Sequence, residues 1–298
     1  MPESQYGTVA VVGRPNVGKS TLVNRLVGAR ICITASRPQT TRHRVLGVVT
    51  EDPLQVAFVD TPGIHGRERR QLNRALNRAA ASALAGVDLA LFVVGVGRWE
   101  DDDALVCRRL RESGVPVIGV VNQVDRLRDR KRMLPFLEEF SRRLPMAAIV
   151  PLSARTGENV DALWGEIRPR IPPGPHGFDD DALTDRSERF LAAELVREQL
   201  VRRLGEELPY ALAVEIERFS ERDDGRVDID ARIWVEREGQ KAIVIGAGGA
   251  QLKEIGTAAR QSMERLFATG VNLHLWVKVR PDWSDDTRSL RQFGYEDS

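Results

Sequence analysis

"GRPNVGKS", residues 13–20, decides the fold of this 298-residue chain. It follows the apolar run "TVAVV" (8–12) and precedes a predicted helix starting at "TLVNRLV" (21–27). A match to G-x-x-x-x-G-K-[ST] between a strand and a helix has the context that this phosphate-loop pattern requires. Glycines let successive backbone N–H groups wrap a polyphosphate at a helix N-terminus. Gly13, Asn16, Val17, Gly18, Lys19, Ser20 and Thr21 are therefore the candidate nucleotide-binding residues of the loop. Lys19 places a point charge at the β- and γ-phosphates, and the Ser20 hydroxyl can ligate Mg2+.

Outward from the loop, short apolar runs alternate with amphipathic stretches as far as residue 165 or so. "VLGVVTED" (45–52), "LQVAFVD" (54–60), "LALFVVG" (89–95), "VPVIGVVNQVD" (115–125) and "AAIVPLSA" (147–154) read as further strands. That rhythm predicts a mostly parallel sheet with helices on both faces. Three of these strands end in polar residues. "VAFVDTPG" (56–63) ends in Asp60, a carboxylate able to hold Mg2+ through water, and Gly63 can offer a backbone N–H to the γ-phosphate. "RPQTTRHR" (37–44) supplies Thr40 and Thr41, one of whose hydroxyls can complete the Mg2+ shell. "VVNQVD" (120–125) carries Asn122, Gln123 and Asp125, and a carboxylate at Asp125 accepts from guanine N1 and N2 where adenine offers a different pattern. "LSAR" (152–155) brings Ser153, Ala154 and Arg155 to the opposite side, with a backbone N–H for guanine O6. Gly13, Asp60, Asn122 and Ser153 lie at the carboxyl ends of four separate predicted strands, the edge where open α/β sheets bind ligands.

Composition sets the limits. Lys and Arg total 44 against 43 Asp and Glu, so a nucleic-acid surface, if present, is local and not a property of the whole chain. Two cysteines, Cys32 and Cys107, exclude a disulfide framework and lack the spacing of a zinc site, which points to buried thiols in a reducing compartment. No stretch reaches the roughly 18 apolar residues of a spanning helix. The expected location is the cytoplasm.

"RPRIPPGPHGFDDDALTD" (168–185) holds four of the fifteen prolines within seven residues and then an acidic run. The domains are accordingly expected at 1–170 and 186–298, with 171–185 as linker. Beyond it, "ERFLAAELVREQLVRRLGEELP" (188–209) has helical spacing, "ALAVEIERFS" (211–220) and "RVDIDARIWVER" (226–237) alternate as strands around the turn "RDDG", and "NLHLWVKVR" (272–280) is another strand. A last helix is expected from about Ser284 as N-cap. Between the strands lies "VIGAGGAQLKEIG" (244–256). A dinucleotide fingerprint, G-x-G-x-x-G, would need a third glycine where Gln251 stands. A plain turn into a helix is the second reading. The third is the G-x-x-G loop of a KH domain, which joins two helices and clamps single-stranded RNA by close backbone approach. Local charge favours the third: residues 241–280 carry six basic side chains against two acidic ones. Candidate RNA-binding residues are Ile245, Gly246, Ala247, Gly248, Gly249, Lys253 and Arg260.

The nucleotide motifs in this order, with "QTTRHR" (39–44) and "IGAGGAQLKEIGTAAR" (245–260) followed by "HLWVKVRPDW" (274–283), resemble the Era family of ribosome-assembly GTPases over nearly the whole chain. The resemblance implies a P-loop GTPase domain of α/β class followed by a smaller α+β type II KH domain. It implies GTP hydrolysis to GDP with Lys19, Thr41, Asp60 and Gly63 as the catalytic set, and Mg2+ held by Ser20, Thr41 and Asp60. It also implies a potassium ion at Asn16. The partners it implies are the 3′ region of small-subunit (16S) ribosomal RNA and the 30S subunit, with no DNA, a monomeric state, and peripheral association with the inner face of the cell membrane. Two positions depart from the family pattern. Gln123 stands where Asn-Lys-x-Asp has lysine, whose stem covers the guanine face, and Ala247 stands where relatives carry a basic or polar loop residue. The residue after Asp-Thr-Pro-Gly is Ile64, which cannot orient water, and His65 follows it. Two rival readings are a GTP-regulated module for a protein or membrane surface, and an RNA-binding protein with a weakened nucleotide site.

Overall fold

The computed structural model describes residues 3–35, 40–64, 71–205 and 208–295. The chain forms two units, the first made mainly of residues up to Asp185 and the second of residues from Arg186 on together with the stretches that contain Ile33 and Ala75. In the first, the elements run β1 (Gln5–Val12), α1 (Lys19–Val27), β2 (Val45–Glu51), β3 (Leu54–Asp60), α2 (Gln71–Ser82), β4 (Leu89–Gly95), α3 (Asp101–Ser113), β5 (Val117–Asn122), α4 (Met133–Ser141), β6 (Ala148–Pro151) and α5 (Val160–Ile167). The sheet order is β2-β3-β1-β4-β5-β6. Every pairing is parallel except β2 with β3. Parallel strands covered by helices read as unbroken apolar runs, and β3, β4 and β5 are buried at every position. Ala10, Val12, Phe92 and Val94 share a core with Ala80 of α2, Val106 of α3 and Phe140 of α4. Gly47 makes room for α1, since a Cβ there would lie 2.7 Å from Val27 and 2.6 Å from Ile31. The chain order reverses at β1, whose sheet neighbours are β3 on one side and β4 on the other, so the loop after β1 opens at a topological switch point.

The proline-rich stretch connects the two units and also extends the first. Thr184 bridges Gly47 on β2, and the N–H of Val48 donates to Leu183 O at 2.9 Å. Buried Gln55 reads the returning backbone: its Oε1 accepts from the N–H groups of Gly177 (2.8 Å) and Phe178 (2.9 Å), and its Nε2 donates to Phe178 O (3.0 Å). A buried amide is stable only when its donors and acceptors are matched, and here each is. Gly177 lies so close to the Tyr6 ring that a Cβ would meet it at 2.6 Å.

The second unit runs α6 (Glu188–Arg203), β7 (Leu212–Glu221), β8 (Val227–Val235), α7 (Glu238–Ile245), α8 (Ala250–Phe267), β9 (Val271–Val279) and α9 (Thr287–Gln292). Its sheet is β7-β8-β9, antiparallel then parallel. Strand β8 alternates buried and half-buried residues along its length, so Ile229, Ala231 and Ile233 enter one core with Leu195 and Leu200 of α6 and Ile255, Ala259 and Met263 of α8. Helix α6 begins at Ser187, whose side chain accepts from the N–H of Phe190. At the C-terminus the cap is Asp286, not Ser284: the Asp286 carboxylate accepts from the N–H groups of Arg288 and Ser289. Ser284 instead donates its hydroxyl to Glu236. A carboxylate one residue before the helix outcompetes a hydroxyl three residues before it, because only the former reaches the free N–H groups of the first turn.

Candidate functional site

The phosphate loop is shaped by contacts that leave no space for side chains. A Cβ on Gly13 would lie 2.3 Å from Val93 O, and one on Gly18, which has φ 96°, would lie 2.4 Å from Asn122 Nδ2. Gly63 approaches from the other side, with a Cβ position 2.6 Å from the backbone nitrogen of Pro15. The turn after β3 is thereby pressed against the loop. Lys19 is buried, and its Nζ donates to Gly13 O and Arg14 O, each at 3.0 Å. Its pKa is lowered to about 8, first by desolvation and further by Arg14, with Asp60 and Asp103 acting in the opposite sense. Arg14 braces the loop against α3 through ion pairs to Asp103 (3.0 Å) and Glu100 (3.2 Å).

Three oxygen donors converge beneath Lys19. Ser20 Oγ and Thr41 Oγ1 are 2.7 Å apart, and Thr41 Oγ1 donates to Asp60 Oδ2 at 3.5 Å. Asp60 is fully buried, burial raises its pKa, and its Oδ1 has no hydrogen-bond partner among the described residues. A buried carboxylate oxygen without a partner is costly unless a cation or water meets it. Two hydroxyls and that carboxylate make a hard-oxygen set that fits Mg2+. Of the two candidate threonines, Thr41 is the one at this site. Ile64 is buried and His65 lies outside the described residues.

Beside the loop, Asn122 works as a tie between three segments. Its Nδ2 donates to Val17 O at 2.8 Å, and its Oδ1 accepts from the N–H of Gln123 (2.8 Å) and of Ala154 (2.9 Å). Asp125 Oδ1 accepts from Ser153 Oγ at 2.6 Å and Oδ2 is paired with Arg155. The Ser153 hydrogen bond, reinforced by Arg155, holds the Asp125 carboxyl below the usual carboxylate range. An ionised acceptor is what a pair of guanine donors requires. Asn16 is exposed with left-handed backbone (φ 64°), and Thr21 lies in the first turn of α1.

In the second unit, α7 and α8 are joined by Gly246, Ala247, Gly248 and Gly249. Gly246 is required twice over, by φ 72° and by a Cβ position 2.6 Å from Gln251 Cβ. Gly248 and Gly249 have φ 58° and 81° with open space around them, so their backbone is approachable. A groove of about 400 Å³ runs from Gly249 along α8, past Lys253, Gly256 and Arg260, and is closed by Leu273 and Leu275 of the edge strand β9. Arg260 is ion-paired with Glu264 at 2.6 Å. Ile245 is half-buried against the core, and Ala247 is exposed. Gly256, Leu273 and Leu275 are additions to the candidates from sequence. The signal for the first was a glycine one helical turn beyond Lys253, at a position that costs helix stability unless close approach needs it.

Residues 8–123 match the family described as 50S ribosome-binding GTPase, and residues 207–284 match the KH domain. GTPase Era of Xanthomonas axonopodis pv. citri is 56% identical over 97% of each chain, and that of Stenotrophomonas maltophilia is 55% identical over the same shares. The chain belongs to the Era family of GTPases. A crystal structure of Era in complex with MgGDPNP and nucleotides 1506–1542 of 16S ribosomal RNA superposes with TM-score 0.94 at 38% identity, covering 98% of this chain and 99% of that one. A point variant of Era of Aquifex aeolicus bound to GDP and aluminium fluoride gives the same figures. The Era fold, a P-loop GTPase domain followed by a KH domain, is thus the fold of this chain. Within that family frame, Gln123 keeps a contact with the phosphate loop despite replacing lysine: its Nε2 donates to Asn16 O at 3.0 Å.

Proposed function

We propose that this Era-family GTPase is a switch that binds GTP through residues 13–20, 122–125 and 153–155. In this reading it binds the single-stranded 3′ end of 16S ribosomal RNA in the α8–β9 groove, and assists assembly of the 30S subunit. The observation that carries the reading is the convergence of Lys19, Ser20, Thr41 and Asp60 at one strand edge with the Ser153-supported carboxylate of Asp125 beside them. The RNA assignment is supported by the groove and its glycine loop, and by the relative crystallised with a 16S fragment.

Hydrolysis follows from positioning and charge. Backbone N–H groups of the loop and of Gly63 receive the phosphates, and Lys19 balances charge that develops on the oxygens of the transferred phosphoryl group. Ser20, Thr41 and Asp60 would hold Mg2+, which supplies Lewis-acid stabilisation of the phosphate oxygens. Ile64 keeps an apolar wall at that turn and carries no group that orients water, so slow intrinsic turnover is expected. Asn16 is proposed to bind K+ at the phosphates. The protein is further proposed to be a cytoplasmic monomer, with peripheral contact to the inner face of the membrane. Among the described residues no helix is long and apolar enough to cross one. Sedimentation and vesicle flotation test those two points.

The central experiment is competition of ATP against labelled GDP, together with turnover in potassium and sodium salts. GTP should win by roughly 10⁴-fold over ATP, Asp125→Asn should shift preference to xanthosine nucleotides, and turnover should be faster in potassium. Equal binding of ATP and GTP overturns the reading of the site, and equal rates in the two salts remove potassium from it.

A further inference from the structure

Gln123 closes β5 with left-handed backbone (φ 70°, ψ 30°) and uses its amide at both ends. Nε2 donates to Asn16 O in the phosphate loop, and Oε1 accepts from Nη1 of Arg126 at 3.2 Å. The second contact is set by local geometry. Residues Val124–Arg126 form one 3-10 turn, in which the N–H of Arg126 donates to Gln123 O at 2.9 Å. That bond brings Arg126 back beside Gln123, so its guanidinium reaches the amide. Arg126 is exposed, and among the described residues Gln123 is its only side-chain partner.

A guanine whose N1 and N2 edge meets Asp125, and whose phosphates lie in the loop, must pass across the link that Gln123 makes between those two places. We propose that Arg126, held in place by Gln123, lies on the face of the guanine ring and supplies there the cation that an uncharged residue at position 123 lacks. A guanidinium suits that place because it is planar, weakly hydrated and always charged, and it packs on π-faces. The amide of Gln123 fixes its direction, so the pair does with two side chains what a single long cation would do with one. The inference rests on the reading of Asn122 and Asp125 as the guanine site.

Its test is a mutant cycle on the full-length protein, read by calorimetric affinity for GDP and for inorganic triphosphate in Mg2+ buffer. Arg126→Ala should weaken GDP binding about five-fold while leaving triphosphate binding unchanged. In a Gln123→Lys background, where an ammonium occupies the same place, the further change Arg126→Ala should alter GDP affinity less than about two-fold. Unchanged GDP affinity in Arg126→Ala overturns the proposal. So does an equal loss for GDP and triphosphate, which would mean that Arg126 acts on the phosphate loop through Gln123. So does an undiminished effect in the lysine background. Asp125→Asn separates the two levels of failure. If that variant still prefers GDP to xanthosine diphosphate, the guanine site itself is misplaced and the proposal falls with it. If it switches while Arg126→Ala does nothing, the site stands and only the arginine is wrong.

Discussion

At the scale of single residues, Lys19 shows how burial tunes a binding charge. Its ammonium is needed at the phosphates, yet desolvation lowers its pKa to about 8 before a ligand arrives. Below pH 8 the site is already charged. Above it a growing fraction of the protein carries a neutral amine, and binding must recharge it by taking up a proton. GDP affinity should therefore fall about four-fold between pH 7 and pH 8.5, with the ligand's own base still protonated. Calorimetry at pH 8.5 in two buffers of different ionisation enthalpy should register net proton uptake, and none at pH 6.5. A pH-independent affinity over that window would mean that the lysine is not desolvated as its surroundings imply. Asn122 makes a different point at the same scale. Sequence places it in a guanine motif, but its three hydrogen bonds among the described residues all go to protein backbone, so it ties Val17, Gln123 and Ala154 together.

Among the elements, the turn between α7 and α8 is where one substitution separates RNA binding from folding. Ala247 is exposed between glycines, so a longer side chain there meets solvent, unlike one at Gly246, which would collide with Gln251. Ala247→Lys should strengthen binding of a single-stranded 16S 3′-end oligonucleotide and steepen the dependence of log K on log salt by about 0.7. Ala247→Asp should weaken binding, and both variants should retain the parent's melting temperature. Fluorescence anisotropy across a salt series decides it; if the slope is unaltered in both, position 247 does not face phosphate. Most elements were legible in the sequence, because the apolar runs of β3, β4 and β5 and the alternation of β8 are local patterns. The start of α9 was not, because Ser284 and Asp286 are both good caps and only the path of the chain after β9 decides which one meets the free N–H groups.

Across the whole molecule, the balance of 44 basic and 43 acidic side chains hides a basic groove edge, and the proline-rich connection hides an extension of the first unit. Residues 171–185 satisfy Gln55, pack Phe178 near Tyr6 and bond to β2. A fragment of residues 1–185 is expected to melt several degrees above one of residues 1–170, since the shorter loses the hydrogen bonds of Gln55 to Gly177 and Phe178 and the packing of Phe178 near Tyr6, each bond contributing about 0.5–1.5 kcal/mol. Differential scanning calorimetry of the two fragments measures this, and equal melting temperatures would mean that the stretch contributes no net stability.

By itself the sequence determined that a strand, a glycine loop and a helix form a phosphate site, that strand ends carry Asp60, Asn122 and Asp125, and that a second glycine loop joins two helices. Each is a contiguous signal, written in the residues that make the local backbone and independent of where the rest of the chain runs. Only the tertiary structure decided that Gly63 touches Pro15 and that Gln123 links Asn16 to Arg126. Only it decided that Leu273 and Leu275 face Lys253 across a groove. Those contacts join residues far apart in the chain, and their geometry is set by strand order, by register and by the direction of turns that no short window of sequence contains.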